Sequence, residues 1–203
     1  MKTQTKIAVI GLGYVGLPIA IEFSKHYFVT GYDINIDRIK SLKKYIDNNN
    51  EIKINKKIVK KNLLNFSYNK KDLQKSNVYI VCVPTPVLKS NKPDLSNLIN
   101  ACKLISKYIK ANDLIIFEST VYPSTTEGVC LKILEKGSKL RCINNLDNKD
   151  GFYLGYSPER INPGDLKHNL SNTTKLVSSN SSAGLKKIYS LYKKIIKADE
   201  IKV

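Results

Sequence analysis

No run of about 18 apolar residues occurs anywhere in the 203-residue sequence, which argues against a transmembrane helix. The N-terminal stretch Met1 to Ile10 lacks the long apolar core and the small-residue cleavage site of a secretory signal, so the chain reads as cytoplasmic. Arginine is scarce: Arg38, Arg141 and Arg160 are the only three, and the net charge of +17 rests almost wholly on lysine. Base-reading interfaces favour arginine forks, so the charge alone does not predict a nucleic-acid partner. The densest basic stretch, Lys53 to Lys61, has no interleaved aromatics and reads as a solvated helix or loop. Cysteine is sparse as well. Cys82, Cys102, Cys130 and Cys142 stand 20, 28 and 12 residues apart with no CxxC, and His26 and His168 are isolated, so no zinc or other metal site is expected. Cys82 falls inside the apolar run YIVCV and reads as core. Cys102 and Cys130 fall in helical stretches and Cys142 in a loop, all as structural thiols. Disulfides are not expected in a cytoplasmic chain.

Apolar residues at 42% and charged residues at 25% exclude wholesale disorder and leave an ordinary globular composition. A chain of this length buries about 70% of its unfolded surface, enough for a sizeable core. Short apolar runs alternate with stretches of helical spacing. Lys6–Ile10, Phe28–Asp33, Leu63–Ser67, Val78–Val83, Leu114–Phe117, Phe152–Tyr156 and Lys175–Ser178 read as strands. Tyr14–Lys25, Ile36–Tyr45, Leu95–Ile109, Thr125–Leu134 and Ala183–Ile196 read as helices, and Leu140–Gly151 as the most loop-like stretch. Strands separated by helices imply βαβ units. The expected fold is α/β: a Rossmann-like, doubly wound, mostly parallel sheet with helices on both faces, forming one domain over residues 1–203.

Gly11-Leu12-Gly13-Tyr14-Val15-Gly16 is a GxGxxG placed between the first strand and the first helix. Gly11 permits the tight turn, Gly13 lets backbone approach a pyrophosphate, and Gly16 lets the helix pack against the strand. The helix N-terminus offers N–H groups and a positive dipole end to phosphate. Asp33 ends the second strand, 22 residues after Gly11. A carboxylate there can accept hydrogen bonds from both ribose hydroxyls and would repel a 2′-phosphate, so NAD is favoured over NADP. Pro18 falls near the first helical turn, where a missing N–H matters least. Three later strands end in unusual turns: Pro84-Thr85-Pro86, Glu118-Ser119-Thr120, and Ser157-Pro158-Glu159-Arg160. In an open parallel sheet these turns lie on the edge where the ligand sits.

The segments KIAVIGLGYVGLPIA, VPTP, ESTVYPSTTE and GYSPERINPGD resemble, in order, the nucleotide-sugar dehydrogenases that oxidise UDP-sugars at C6, and within them the bacterial UDP-N-acetylhexosamine 6-dehydrogenases. The resemblance runs over essentially the whole chain. It implies oxidation of a primary alcohol to a carboxylate by two NAD-dependent hydride transfers. In that family a cysteine holds the intermediate aldehyde and then a thioester, which is hydrolysed. It implies that Gly11, Gly13, Tyr14, Val15, Gly16, Asp33 and Arg38 hold the adenosine and pyrophosphate half of NAD. Thr85 and Thr120 would lie by the nicotinamide half, with Thr120 helping to position a catalytic water, and Pro84 and Ser119 would also bind the cofactor. Glu159 would assist thioester hydrolysis as an acid/base group and meet the substrate together with Arg160. Arg160 stands where UDP-glucose enzymes usually carry Phe, and that points to the N-acetylhexosamine branch. A second glutamate of the family is replaced here by Pro163. The family's catalytic Lys and Asn and its GGHC-like loop have no counterpart in this sequence, so the resemblance is to the N-terminal, NAD-binding half. It implies a UDP-sugar as partner and a homodimer for a complete member, an expectation not extended to this half alone. The alternatives are a UDP-glucose 6-dehydrogenase, another Rossmann dehydrogenase of the 3-hydroxyacyl-CoA type, a noncatalytic NAD-binding module, and a nucleic-acid binder resting on charge.

Overall fold

The computed structural model describes residues 4–49, 52, 54, 63–144, 150–159, 170, 173–196 and 201–202. Much of the basic stretch at 53–61, together with Arg160 and Pro163, lies outside them. The first half is a βαβ unit followed by a further strand: β1 (Lys6–Ile10), α1 (Gly16–Ser24), β2 (Phe28–Tyr32), α2 (Ile36–Lys43) and β3 (Leu64–Ser67). The second half begins with β4 (Val78–Val81), α3 (Ser96–Ile105), β5 (Leu114–Phe117), α4 (Leu131–Ser138), β6 (Arg141–Cys142) and β7 (Gly151–Tyr156). It closes with β8 (Lys175–Leu176), β9 (Ser178–Ser179), α5 (Ser182–Tyr192) and β10 (Ile201–Lys202).

The main sheet runs β3-β2-β1-β4-β5-β7-β6, with β9 antiparallel on β7 and the other pairings parallel. The first five positions have the strand order of a doubly wound dinucleotide fold, and the order reverses between β1 and β4. The central strands are buried on both faces, and their alternation sorts them into two cores. Ile7, Val9, Val78, Ile80, Leu114 and Ile116 face one side, where α1, α2 and α5 supply Leu17, Ile39 and Tyr192. Ala8, Ile10, Tyr79, Val81, Ile115 and Phe117 face the other, where α3 and α4 supply Leu98, Cys102 and Leu134. Near-continuous apolar strands read from sequence are the signature of this two-sided burial.

The observed elements are mostly shorter than the periodicity suggests. Apolar spacing continues past Ser24, Lys43 and Ile105 because the chain stays packed as it leaves the helix, while the helical hydrogen bonds stop. The helix read over Thr125–Leu134 opens as a wider, π-type turn over Thr125–Cys130 and becomes α-helical only from Leu131. The strand read over Lys175–Ser178 is two strands with different partners: β8 pairs with β10 and β9 with β7. Cys142 is not in a loop: it lies in β6, paired with Phe152, and is buried. Two paired residues are too few for a periodic signal in sequence.

Candidate cofactor site

One cavity of about 970 Å³ opens beyond the carboxyl ends of the central strands. Each strand end contributes to it: Ile10 from β1, Asp33 after β2, Cys82 to Pro86 after β4, Glu118 to Thr120 after β5, and Glu159 after β7. Side chains leaving a parallel sheet at these ends converge because all the strands point the same way.

The glycine loop forms one wall. Gly11 has φ +90°, and a Cβ there would lie 2.8 Å from the Cys82 carbonyl oxygen, so neither backbone nor space admits another residue. A Cβ at Gly16 would stand 1.8 Å from the Gly11 carbonyl oxygen, which fixes how closely α1 approaches the loop. Gly13 differs: a Cβ there would meet nothing within 4 Å, because the position faces the cavity. That is the vacant approach a pyrophosphate requires. Helix α1 begins without a side-chain cap, and Gly13, Tyr14 and Val15 of its opening turn line the cavity. This cradle fits a dinucleotide.

Asp33 is held rigidly. Its Oδ2 accepts from the Leu12 N–H and its Oδ1 from the Asn35 N–H, each at 2.8 Å. Each oxygen keeps a lone pair for a ribose hydroxyl. Arg38 sits outside the cavity lining. Its guanidinium is buried behind the loop, not in the cavity wall. Nε and Nη2 donate to the Leu12 carbonyl oxygen at 3.0 and 2.9 Å, and Nη1 pairs with Asp47 at 2.5 Å. Burial acts to raise the Asp47 carboxyl, but hydrogen bonds from Arg38 and from the Ile52 N–H outweigh it and hold the group below its ordinary value. Gly16 likewise lies outside the lining and shapes the loop from behind.

The opposite wall is braced across strands. Thr85 Oγ1 donates to the Thr120 carbonyl oxygen and Ser119 Oγ to the Val83 carbonyl oxygen, each at 2.6 Å. Asn97 Nδ2 donates to the Pro84 carbonyl oxygen at 3.1 Å. The turns after β4 and β5 are thereby locked together, with Thr120 exposed at the rim.

Beneath this wall lies a group that the spacing of motifs did not reveal. Glu118, fully buried, pairs with Lys175 Nζ through Oε2 and accepts from the Tyr192 hydroxyl through Oε1. Burial raises the Glu118 carboxyl, opposed by the Lys175 charge. Lys175 sits on β8 and Tyr192 on α5, far from Glu118 in sequence, and neither belongs to a recognisable pattern. Only the placement of Glu118 straight after an apolar strand hinted at it. All four cysteines are buried thiols. Cys82 lies at the cavity floor, where burial and then the Glu118 charge push its thiol far up. The Cys102 thiol is raised first by its contact with Cys130 and then by burial, and the Cys142 thiol by burial. A protonated, enclosed thiol is a poor nucleophile.

Residues 5–196 match the family model described as the UDP-glucose/GDP-mannose dehydrogenase family, NAD binding domain. The chain belongs to that family. It is 46% identical over 203 residues to the UDP-N-acetyl-D-glucosamine 6-dehydrogenase of Pseudomonas aeruginosa, covering 98% of this chain and 46% of that protein. It is 44% identical over 202 residues to Protein CapL of Staphylococcus aureus, covering 97% and 46%. Among solved structures, a UDP-D-ManNAc dehydrogenase from Pyrococcus horikoshii superposes with a TM-score of 0.87 at 33% identity, covering 97% of this chain and 46% of that one. The GDP-mannose dehydrogenase of Pseudomonas aeruginosa, at 21% identity and a TM-score of 0.81, shares the fold. The chain thus spans about half the length of the curated relatives it matches. As a member of this family's NAD-binding domain it takes NAD as its cofactor. Among the described residues no helix is long and apolar enough to cross a membrane.

Proposed function

We propose that residues 1–203 form one NAD-binding unit of an NAD-dependent UDP-N-acetylhexosamine 6-dehydrogenase. Such an enzyme converts the C6 alcohol to a carboxylate by two hydride transfers and serves polysaccharide precursor synthesis. The observation that carries this reading is the convergence of Asp33, the glycine loop, Thr85, Ser119, Thr120 and Glu159 on one cavity. Two relatives, at 46% and 42% identity, are UDP-N-acetyl-D-glucosamine 6-dehydrogenases by name, which supports the same branch. NAD supplies the hydride acceptor. Gly11, Gly13, Tyr14 and Val15 receive the pyrophosphate, and Asp33 receives the adenosine ribose. Arg38 and Gly16 hold the loop in shape, so Arg38 serves the cofactor through Leu12. Pro84, Thr85, Ser119 and Thr120 border the nicotinamide half, where Thr120 orients a water. Glu159 is the acid/base group for hydrolysis, and Arg160 meets the substrate.

The test is made in a complete enzyme carrying this domain. It should form two NADH per UDP-N-acetylglucosamine, and Arg160→Phe should reduce kcat/KM for that sugar more than for UDP-glucose. Equal reductions would show Arg160 to be structural. Preference of the wild type for UDP-glucose would replace the N-acetylhexosamine reading.

A further inference from the structure

The loop that carries Glu159 is fastened from below by one buried side chain. Lys175, 3% exposed, directs its ammonium at the Glu118 carboxylate, at the Ser157 carbonyl oxygen 3.3 Å away and at the Pro158 carbonyl oxygen 3.4 Å away. The same Nζ stands 3.9 Å from Glu159 Oε2. The Glu159 N–H donates to the Glu118 carbonyl oxygen at 3.3 Å. The Glu118 carboxylate is itself oriented by the Tyr192 hydroxyl, and the Lys175 ammonium lies 5.8 Å from the Tyr192 ring centre. Four elements of the fold therefore meet at Lys175: the end of β5, the turn after β7, β8 and α5. Lys175 does not line the cavity, whereas Glu118 and Glu159 do.

A buried ion pair is weak evidence for stability, since apolar replacements of both partners are often neutral or stabilising. Here one cation stands between two carboxylates, an arrangement that packing alone would not favour. Its physical effect is to fix the turn's carbonyl groups and the Glu159 carboxylate relative to Ser119 and Thr120, which directly follow Glu118. We infer that Lys175 is the positioning residue of Glu159, holding that carboxylate at the cavity edge through a Glu118–Lys175–Glu159 bridge anchored by Tyr192. The inference deepens the acid/base role proposed for Glu159 and rests on it for its consequence in turnover, while the bridge itself is testable without it.

The first measurement uses the 203-residue chain with nitrogen-labelled lysine. The Lys175 ammonium resonance, assigned by its loss in Lys175→Arg, should shift in both Glu118→Gln and Glu159→Gln. No response to Glu159→Gln overturns the inference. The second uses a complete enzyme carrying this domain. Lys175→Met should lower kcat at least 30-fold while NAD affinity and KM for the UDP-sugar stay within about threefold, and Lys175→Arg should recover at least a third of the activity. Since Lys175→Met alone leaves the buried Glu118 carboxylate without the Lys175 ammonium and can prevent folding, Lys175→Met with Glu118→Met removes the pair together and should fold. It too should lose kcat with NAD affinity kept. Retention of kcat within threefold in either variant, or parallel loss of NAD affinity, overturns the inference. If the wild-type enzyme oxidises no UDP-sugar, the proposed function falls, and the ammonium resonance alone decides the bridge.

Discussion

Asp33 shows how one carboxylate is held in place before any ligand arrives. Two backbone N–H groups hold it at the end of β2, so a ribose meets an already oriented acceptor and no side-chain entropy is lost on binding. Asp33→Ala should weaken NAD binding by about 1–3 kcal/mol, the range for hydrogen bonds to a charged group. Calorimetric titration of the chain with NAD and NADP checks it, and equal wild-type affinity for the two would count against this role. Asp113 is a second informative residue. Burial outweighs the Lys110 N–H bond and the Lys110 and Lys187 charges and raises its carboxyl to about 6. The folded state therefore holds a proton that the unfolded chain has already released. Stability should fall as pH rises from about 4 to 6 and level off above, an effect of roughly 3 kcal/mol for a two-unit displacement. Asp113→Asn keeps an acceptor for the Lys110 N–H and removes the ionisation. Urea unfolding should then show a flatter profile across that window and a more stable protein at pH 8. An unchanged profile would show that Asp113 is not responsible.

At the scale of elements, α2 braces the glycine loop through Arg38. Asn35 caps it by accepting from the Asp37 and Arg38 N–H groups, and this sets the turn from which Arg38 reaches back to Leu12. Arg38→Met should cost roughly 3–5 kcal/mol, the scale of removing one partner from a buried pair, because the buried Asp47 carboxylate loses the Arg38 guanidinium. NAD affinity should fall with it through disorder at Leu12. A variant of wild-type stability, measured by urea unfolding, would contradict that account. This role was not legible in sequence. The GxGxxG, Asp33 and the three turns could be placed by counting along the chain, because their spacing follows the lengths of strand and helix. Arg38 could be seen but not aimed: a long, flexible side chain points by its partners, Leu12 and Asp47, and those are set by packing.

For the whole molecule, the decisive feature is what the domain holds together and what it encloses. One cavity opens at the strand ends, and all four cysteines are buried. Loss of a nucleophile typically costs several orders of magnitude in rate. The 203-residue chain alone should bind NAD yet form no NADH from UDP-N-acetylglucosamine at a useful rate. Steady formation of two NADH per sugar by the purified chain would refute this and would direct attention to Cys82, the one thiol at the cavity.

The strand and helix alternation, the two-sided burial of the central strands, the glycine loop and the acidic end of β2 follow from the order of residues alone. Each is written in local order, in periods of two and 3.6 residues or in glycines that a turn demands. Packing in three dimensions put Arg38 behind the loop, Cys142 in β6, and Glu118, Lys175 and Tyr192 together beneath Glu159. Those contacts join residues 57 and 74 positions apart, and their partners are chosen by the crossing of elements in space. A buried charge leaves no periodic trace in a sequence; its counter-charge is found only when the sheet and the last helix close over it.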